Sequence, residues 1–193
     1  ITSIDVSQNI ALTSLVCGHN QLTSLDVSNN TALTGLDCRV SSITSLDLSA
    51  NNALTGLICS SNPLTSLNVT GTALDTLYCI GTQLTTLDLS VATWPSTSNY
   101  IRVRSNSSLT ILNLGANIDL TGLTLIACWC SSSLVIKVGT GYVPGTTGGS
   151  GTGTNLGLQT RVEYATANFT STPTIPFGAG LIASIDGTTT FII

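Results

Sequence analysis

Six cysteines are the most reactive side chains in this 193-residue chain. Four of them, Cys17, Cys38, Cys59 and Cys79, recur at intervals of 21, 21 and 20 residues. Thiols so spaced can bridge, ligate a metal or pack. A bridge needs the two Cβ vectors turned toward each other, and zinc needs four donors converging on a tetrahedron. One thiol per repeat, all pointing the same way, offers neither, so the four are expected to pack as small apolar groups. Cys128 and Cys130 flank Trp129 and break the interval, leaving a disulfide within that pair or packing against the last repeat open. Other chemistry is thin. His19 stands alone, and with 24 Ser and 32 Thr any Ser–His–Asp set would be an arbitrary choice. The glycine-rich stretch at 145–154 lacks the lysine of a phosphate loop. No enzymatic activity is expected, and neither a cofactor nor a resident metal is implied.

The element that positions the cysteines is a repeat of two alternating half-motifs. One reads L-T-S-L-V-C at 12–17, L-T-G-L-D-C at 33–38, L-T-G-L-I-C at 54–59 and L-D-T-L-Y-C at 74–79. The other reads I-T-S-I-D-V at 1–6, L-T-S-L-D-V at 22–27, I-T-S-L-D-L at 43–48, L-T-S-L-N-V at 64–69 and L-T-T-L-D-L at 84–89. Within each, positions 4 and 6 are apolar and position 5 is not constrained, the period of a short strand with one face buried. Asn9, Asn20, Asn30, Asn51 and Asn62 follow position 6 by three residues, where an amide can satisfy the backbone of a turn. Such a unit buries its apolar face only by stacking on the next.

The outward slots separate into columns. Position 5 of the second half-motif is Asp5, Asp26, Asp47, Asn68, Asp88 and Asn113, which implies hydrogen bonding to Ser/Thr hydroxyls or backbone N–H groups of adjacent coils, with calcium binding the alternative. Position 5 of the first half-motif varies: Val16, Asp37, Ile58, Tyr78, Arg102 and Thr124, beside small residues at position 3. Together with Arg104 and with Trp94 and Tyr100 of the inserted segment at 91–100, these form the candidate binding face, since aromatic and arginine side chains serve as anchors. Thr recurs at position 2 of both half-motifs, a hydroxyl column that either stabilises the stack or, less in keeping with its narrowness, binds ice.

The repeat resembles the leucine-rich-repeat family over residues 1–125, and more narrowly its short 21-residue nested class of bacterial surface and phage proteins. The resemblance implies an all-β leucine-rich-repeat β-solenoid with two short strands per coil and roughly six coils. It also implies a non-catalytic module for adhesion or for recognition of a protein or glycan, at an extracellular, cell-surface or virion-surface location. A structural subunit of a virion or extracellular filament is the second reading, self-associating through the first coil and a C-terminal arm. The domains expected are a solenoid at 1–130 and a β-rich cap or assembly region at 131–193, with a Gly/Thr-rich linker at 139–155. The repeat is expected to stop beyond Leu125, with a strand over 134–138.

Composition narrows the field further. Only 7% of residues are charged and the net charge is −4, so the clustered Lys/Arg that phosphate backbones require is missing and nucleic acid is excluded as a partner. Scarce Ala, Glu and Lys argue against long helices. A hydrophobic content of 42% argues against disorder. The longest apolar-leaning run, 123–138, falls short of the roughly 20 residues of a membrane span. The start at Ile1 without Met reads as a processed or partial chain.

Overall fold

The computed structural model describes residues 1–95, 99–115, 124–126, 130–131, 134–138 and 183–184. The expected linker at 139–155 and nearly all of the C-terminal region lie outside the described residues. Every regular element among the described residues is a β-strand, and these residues stack coil on coil as an all-β solenoid. The first half-motifs supply β1 (Ser14–Val16), β2 (Gly35–Asp37), β4 (Gly56–Ile58), β6 (Thr76–Tyr78), β8 (Tyr100–Arg102) and β10 (Thr124–Ile126). These form one six-stranded parallel sheet in the order β1-β2-β4-β6-β8-β10. The second half-motifs supply β3 (Ser45–Asp47), β5 (Ser66–Asn68), β7 (Thr86–Asp88) and β9 (Ile111–Gly115). Two further strands follow, β11 (Val135–Val138) and β12 (Ala183–Ser184).

Two strands in every coil is more than the chain forms. The second half-motifs at 1–6 and 22–27 are not strands. Around them neighbouring coils meet at single rungs, Gln21 N–H to Ile1 O and Ser42 N–H to Leu22 O, rather than at a ladder. The second sheet is also split, β3 pairing only with β5, while β7, β9, β11 and β12 form a separate group. The split falls where successive half-motifs, at 64 and 84, are 20 rather than 21 residues apart. The expected strand over 134–138 is β11, and it pairs in parallel with β9. Strand pairing therefore carries on past Leu125, where the sequence pattern fades.

Register follows from the repeat. Leu15, Leu36, Leu57, Leu77, Ile101 and Leu125 are mutual partners along the first sheet and are all buried. Cys17, Cys38, Cys59 and Cys79 form the parallel inward column two residues on, continued by Val103. Burial pushes the Cys38 thiol up to about 12, and the adjoining Cys79 thiol together with complete burial holds Cys59 well above the usual range. The column packs as thiols, as the parallel geometry implied. Of the Cys128–Cys130 pair, Cys128 lies outside the described residues, and the Cys130 Sγ donates to Val103 O at 3.0 Å.

Beyond β1, β2, β4, β6 and β8 the chain turns a corner through a left-handed residue. His19, Val40, Ser61 and Ser105 have φ of 56°, 53°, 56° and 60°, and Gly81 fills the same slot at 65°. The corner keeps its ladder: Val40 N–H donates to Ser60 O at 2.9 Å, and Ser61 N–H to Ile80 O at 2.7 Å. A β-branched side chain is the poorest choice there, because its Cβ substituents crowd the backbone. Val40→Gly is expected to raise stability by about 0.5–1 kcal/mol, the relief of strain exceeding the entropy glycine adds to the unfolded chain. A higher midpoint in guanidinium denaturation with an unchanged slope checks it.

Inside the corners, asparagines take up the backbone groups that strands leave over. The Nδ2 of Asn62 donates to Cys59 O of its own coil at 3.0 Å and to Cys38 O of the preceding one at 2.9 Å, while its Oδ1 accepts from Ile43 N–H at 3.1 Å. Asn106 repeats this, donating to Val103 O and Cys79 O and accepting from Thr82 N–H. The intervening coils carry Ser41 and Thr82 in that slot, side chains too short to span two coils. The longer amide of the next coil covers for them. A second column links Asn51 to Val27 O and Asn30 O, and Asn30 to Val6 O and Asn9 O.

Candidate recognition face

The first sheet buries the middle residue of each three-residue strand and turns the flanking two outward. Parallel register then brings Val16, Asp37, Ile58, Tyr78 and Arg102 into one outward column, each facing the next. Adjacent members are one strand spacing apart, about 4.8 Å. The second outward column, two residues earlier, is Ser14, Gly35, Gly56, Thr76 and Tyr100. A Cβ added at Gly56 would meet nothing within 4 Å, and at Gly35 only the Ser14 hydroxyl at 3.8 Å. Small residues thus leave a low strip of backbone beside taller side chains, and Tyr100 closes that strip.

Five of the expected site residues form this column and a sixth, Tyr100, joins it from the neighbouring one. Val16 is 76% exposed. Asp37 is occupied by Arg39, whose Nη2 and Nε lie 2.7 and 3.0 Å from its Oδ2, so that acid is neutralised within its own coil. Ile58, Tyr78 and Arg102 are half-buried by their neighbours. The guanidinium of Arg102 sits 5.3 Å from the Tyr78 ring centre and 4.9 Å from that of Tyr100. Its Nε donates to the Tyr100 hydroxyl at 2.7 Å.

Three placements differ from expectation. Trp94 is not on the face: it is 6% exposed, and its indole N–H donates to Leu89 O at 3.2 Å, so the inserted segment folds its largest ring into the core. Burial of so much apolar area outweighs a place in solvent once the N–H has a partner. Tyr100 belongs to strand β8 rather than to a loop. Thr124 pairs with Tyr100, and Ile126 takes the partnership with Arg102 that was expected of Thr124. Arg104 stands two residues past Arg102, half-buried at the corner. Placing Arg102 at position 5 already puts Tyr100 at position 3; what no sequence signal gave is the contact of its ring with Tyr78.

The second half-motifs make the contrast. Asp5, Asp26, Asp47 and Asp88 each accept the backbone N–H of the serine two residues later, at 2.9–3.0 Å. Asn68 and Asn113 reach back across the stack, each donating to the preceding Asp at 3.0 Å. The column is hydrogen-bonded as expected, but to other partners: the backbone N–H lies in the same coil rather than an adjacent one, and across coils the donor is an asparagine amide. Among the described residues no three of His, Cys, Asp or Glu gather where a metal ion could be held. The threonine hydroxyls likewise turn along the stack, Thr34 to Thr13 O at 2.9 Å and Thr65 to Thr44 O at 3.2 Å.

These aspartates carry a pH dependence. The N–H and hydroxyl of the serine two residues on hold the carboxyls of Asp5, Asp26 and Asp47 below the ordinary range. A carboxyl whose value is lowered by folding contributes stability that is present above its unfolded value, near 3.9, and that is lost as pH falls through the lower folded value. The melting temperature is therefore expected to hold to about pH 5 and to fall below about pH 4. Replacing all three aspartates by asparagine is expected to flatten that fall in a thermal-melt series.

No protein-family model and no curated protein sequence matches the chain. Among solved structures it is similar to the functional domain of InlJ from Listeria monocytogenes, a domain that includes a cysteine ladder. The two are 28% identical with a TM-score of 0.41, over 72% of this chain and 37% of that one. The chain thus spans a little over a third of that structure's length. No helix among the described residues is long and apolar enough to cross a membrane.

Proposed function

We propose that the chain is a non-catalytic recognition module that binds a protein partner through the outward face of its six-stranded sheet. The observation that carries this is the contrast between two columns in equivalent slots. Stacking asks only that an outward residue suit its neighbours above and below, and the Asp/Asn column meets that demand with near repetition. Val16, Asp37, Ile58, Tyr78 and Arg102 share no such chemistry, although their backbones are paired in the same way. Apolar, aromatic and arginine side chains beside a low strip of backbone are what a protein interface uses as anchors. The exposed Val16 and half-exposed Ile58 favour protein over glycan as the partner.

The same proposal takes the chain as the short nested class of leucine-rich repeat, acting outside the cell, with residues 1–130 as the solenoid and 131–193 as a cap. Probing an extracellular-protein array with three forms tests it. Wild type and an Asp26→Ala/Asp47→Ala variant are expected to bind the same partner. Val16→Asp/Ile58→Asp is expected to lose it; binding that survives this variant, or no binding by wild type, contradicts the reading. Light scattering separates it from a filament or virion subunit, a monomer being expected and a defined polymer contrary.

A further inference from the structure

We propose that Arg102 anchors a carboxylate of the partner, an Asp or Glu side chain set among apolar residues; this rests on the reading of the sheet face as the recognition surface. Arg102, in β8, and Arg39, just beyond β2, are in opposite states. Arg39 has its carboxylate, Asp37, in its own coil. Arg102 has no carboxylate within bonding distance among the described residues, and its hydrogen bond there is made by Nε, to the Tyr100 hydroxyl. The two Nη groups make no bond to a described residue. A guanidinium presents paired N–H groups in a plane, which match the two oxygens of a carboxylate.

The side chain is also held before any partner arrives. The Tyr78 and Tyr100 rings lie 5.7 Å apart, tilted by 57°, and the guanidinium is within 5.3 Å of both. Rings and hydroxyl together remove most of the freedom an exposed arginine loses on binding, so less of the contact is offset by ordering. Half-burial between two rings strips water from the cation, and an anion placed there is drawn more strongly than one at an open surface. Ile58 lies two strand spacings from Arg102, about 10 Å. A partner that uses both places an apolar side chain about that far from its carboxylate.

The test is selection from a random dodecapeptide phage library on the immobilised full chain, followed by affinity measurements on a selected peptide. Selected peptides are expected to share an Asp or Glu beside apolar residues. Arg102→Gln is expected to weaken binding at least tenfold, as is changing the peptide's acid to its amide, with little further loss when both are made. Tyr100→Phe deletes only the hydroxyl that orients Nε and is expected to weaken binding about threefold. Peptides that lose binding to Ile58→Asp but carry no acid, or that ignore Arg102→Gln, overturn the anchor while the face stands. Peptides indifferent to both Ile58→Asp and Arg102→Gln, or no selected peptide at all, overturn the face and the anchor with it.

Discussion

Asn62→Ala is expected to destabilise the chain by about 3–5 kcal/mol, more than its size suggests, because three buried backbone groups lose their partner at once. Cys38 O, Cys59 O and Ile43 N–H all bond this one amide. The coil before it cannot compensate, since Ser41 occupies the matching slot and its buried hydroxyl reaches no partner among the described residues. Each orphaned group costs roughly 1–3 kcal/mol when water cannot reach it. Asn62→Thr is the informative control. Thr82 occupies the same slot two half-motifs later and bonds Asn106 Oδ1 through its hydroxyl at 2.9 Å, so a hydroxyl is compatible with the corner. It cannot span two coils, and its expected cost is about half that of alanine. Guanidinium denaturation of the three proteins reads the order directly. Equal midpoints for wild type and Asn62→Ala would mean that the amide bridges nothing.

Leu57→Ala is expected to cost about 3 kcal/mol, within the range of about 2–5 for a buried leucine. Leu57 is fully buried between Leu36 and Leu77 in the middle of the stack. A solenoid coil is a poor place to relax such a cavity. Its neighbours above and below are held by their own ladders, and collapse toward the gap would break register with the outer coils. Leu12→Ala makes the comparison, since Leu12 is only half-buried in the first coil and its neighbours are less constrained. The expected cost there is about 1 kcal/mol. If the two substitutions cost the same, the apolar column does not act as a continuous core.

The core was legible because its period is strict. Counting from Cys17 to Cys79 places the inward leucines, and parallel pairing then places the outward column from Val16 to Tyr78. The column survives to Arg102 although ten inserted residues precede it, since Ile101 and Val103 keep the apolar alternation. Two things were not legible. Trp94 reads as an exposed anchor by type and by its place in an insertion, but whether a tryptophan turns inward depends on an acceptor within reach of its N–H, here Leu89 O, which takes it beside the Ala92 N–H. The Arg102 clasp is the other: alternation puts Tyr100 two residues before Arg102 and so opposite Thr76, but that its ring and hydroxyl turn onto the guanidinium is a side-chain contact the pattern does not carry. Local pattern carries the repeat; where a side chain has a choice of partner, the pattern does not say which it takes.

The face exists only if the first half-motifs stack on one another with a full coil between them. Scalar couplings across backbone hydrogen bonds, measured by NMR on isotope-labelled protein, report that pairing bond by bond. The amide nitrogens of Cys17, Cys38, Cys59 and Cys79 are expected to couple to the carbonyl carbons of Asp37, Ile58, Tyr78 and Arg102, the donor–acceptor pairs 2.8–2.9 Å apart in the ladder. Coupling from Cys38 to Asp47, half a repeat away, would place both half-motifs in a single sheet and dissolve the column of Val16, Asp37, Ile58, Tyr78 and Arg102.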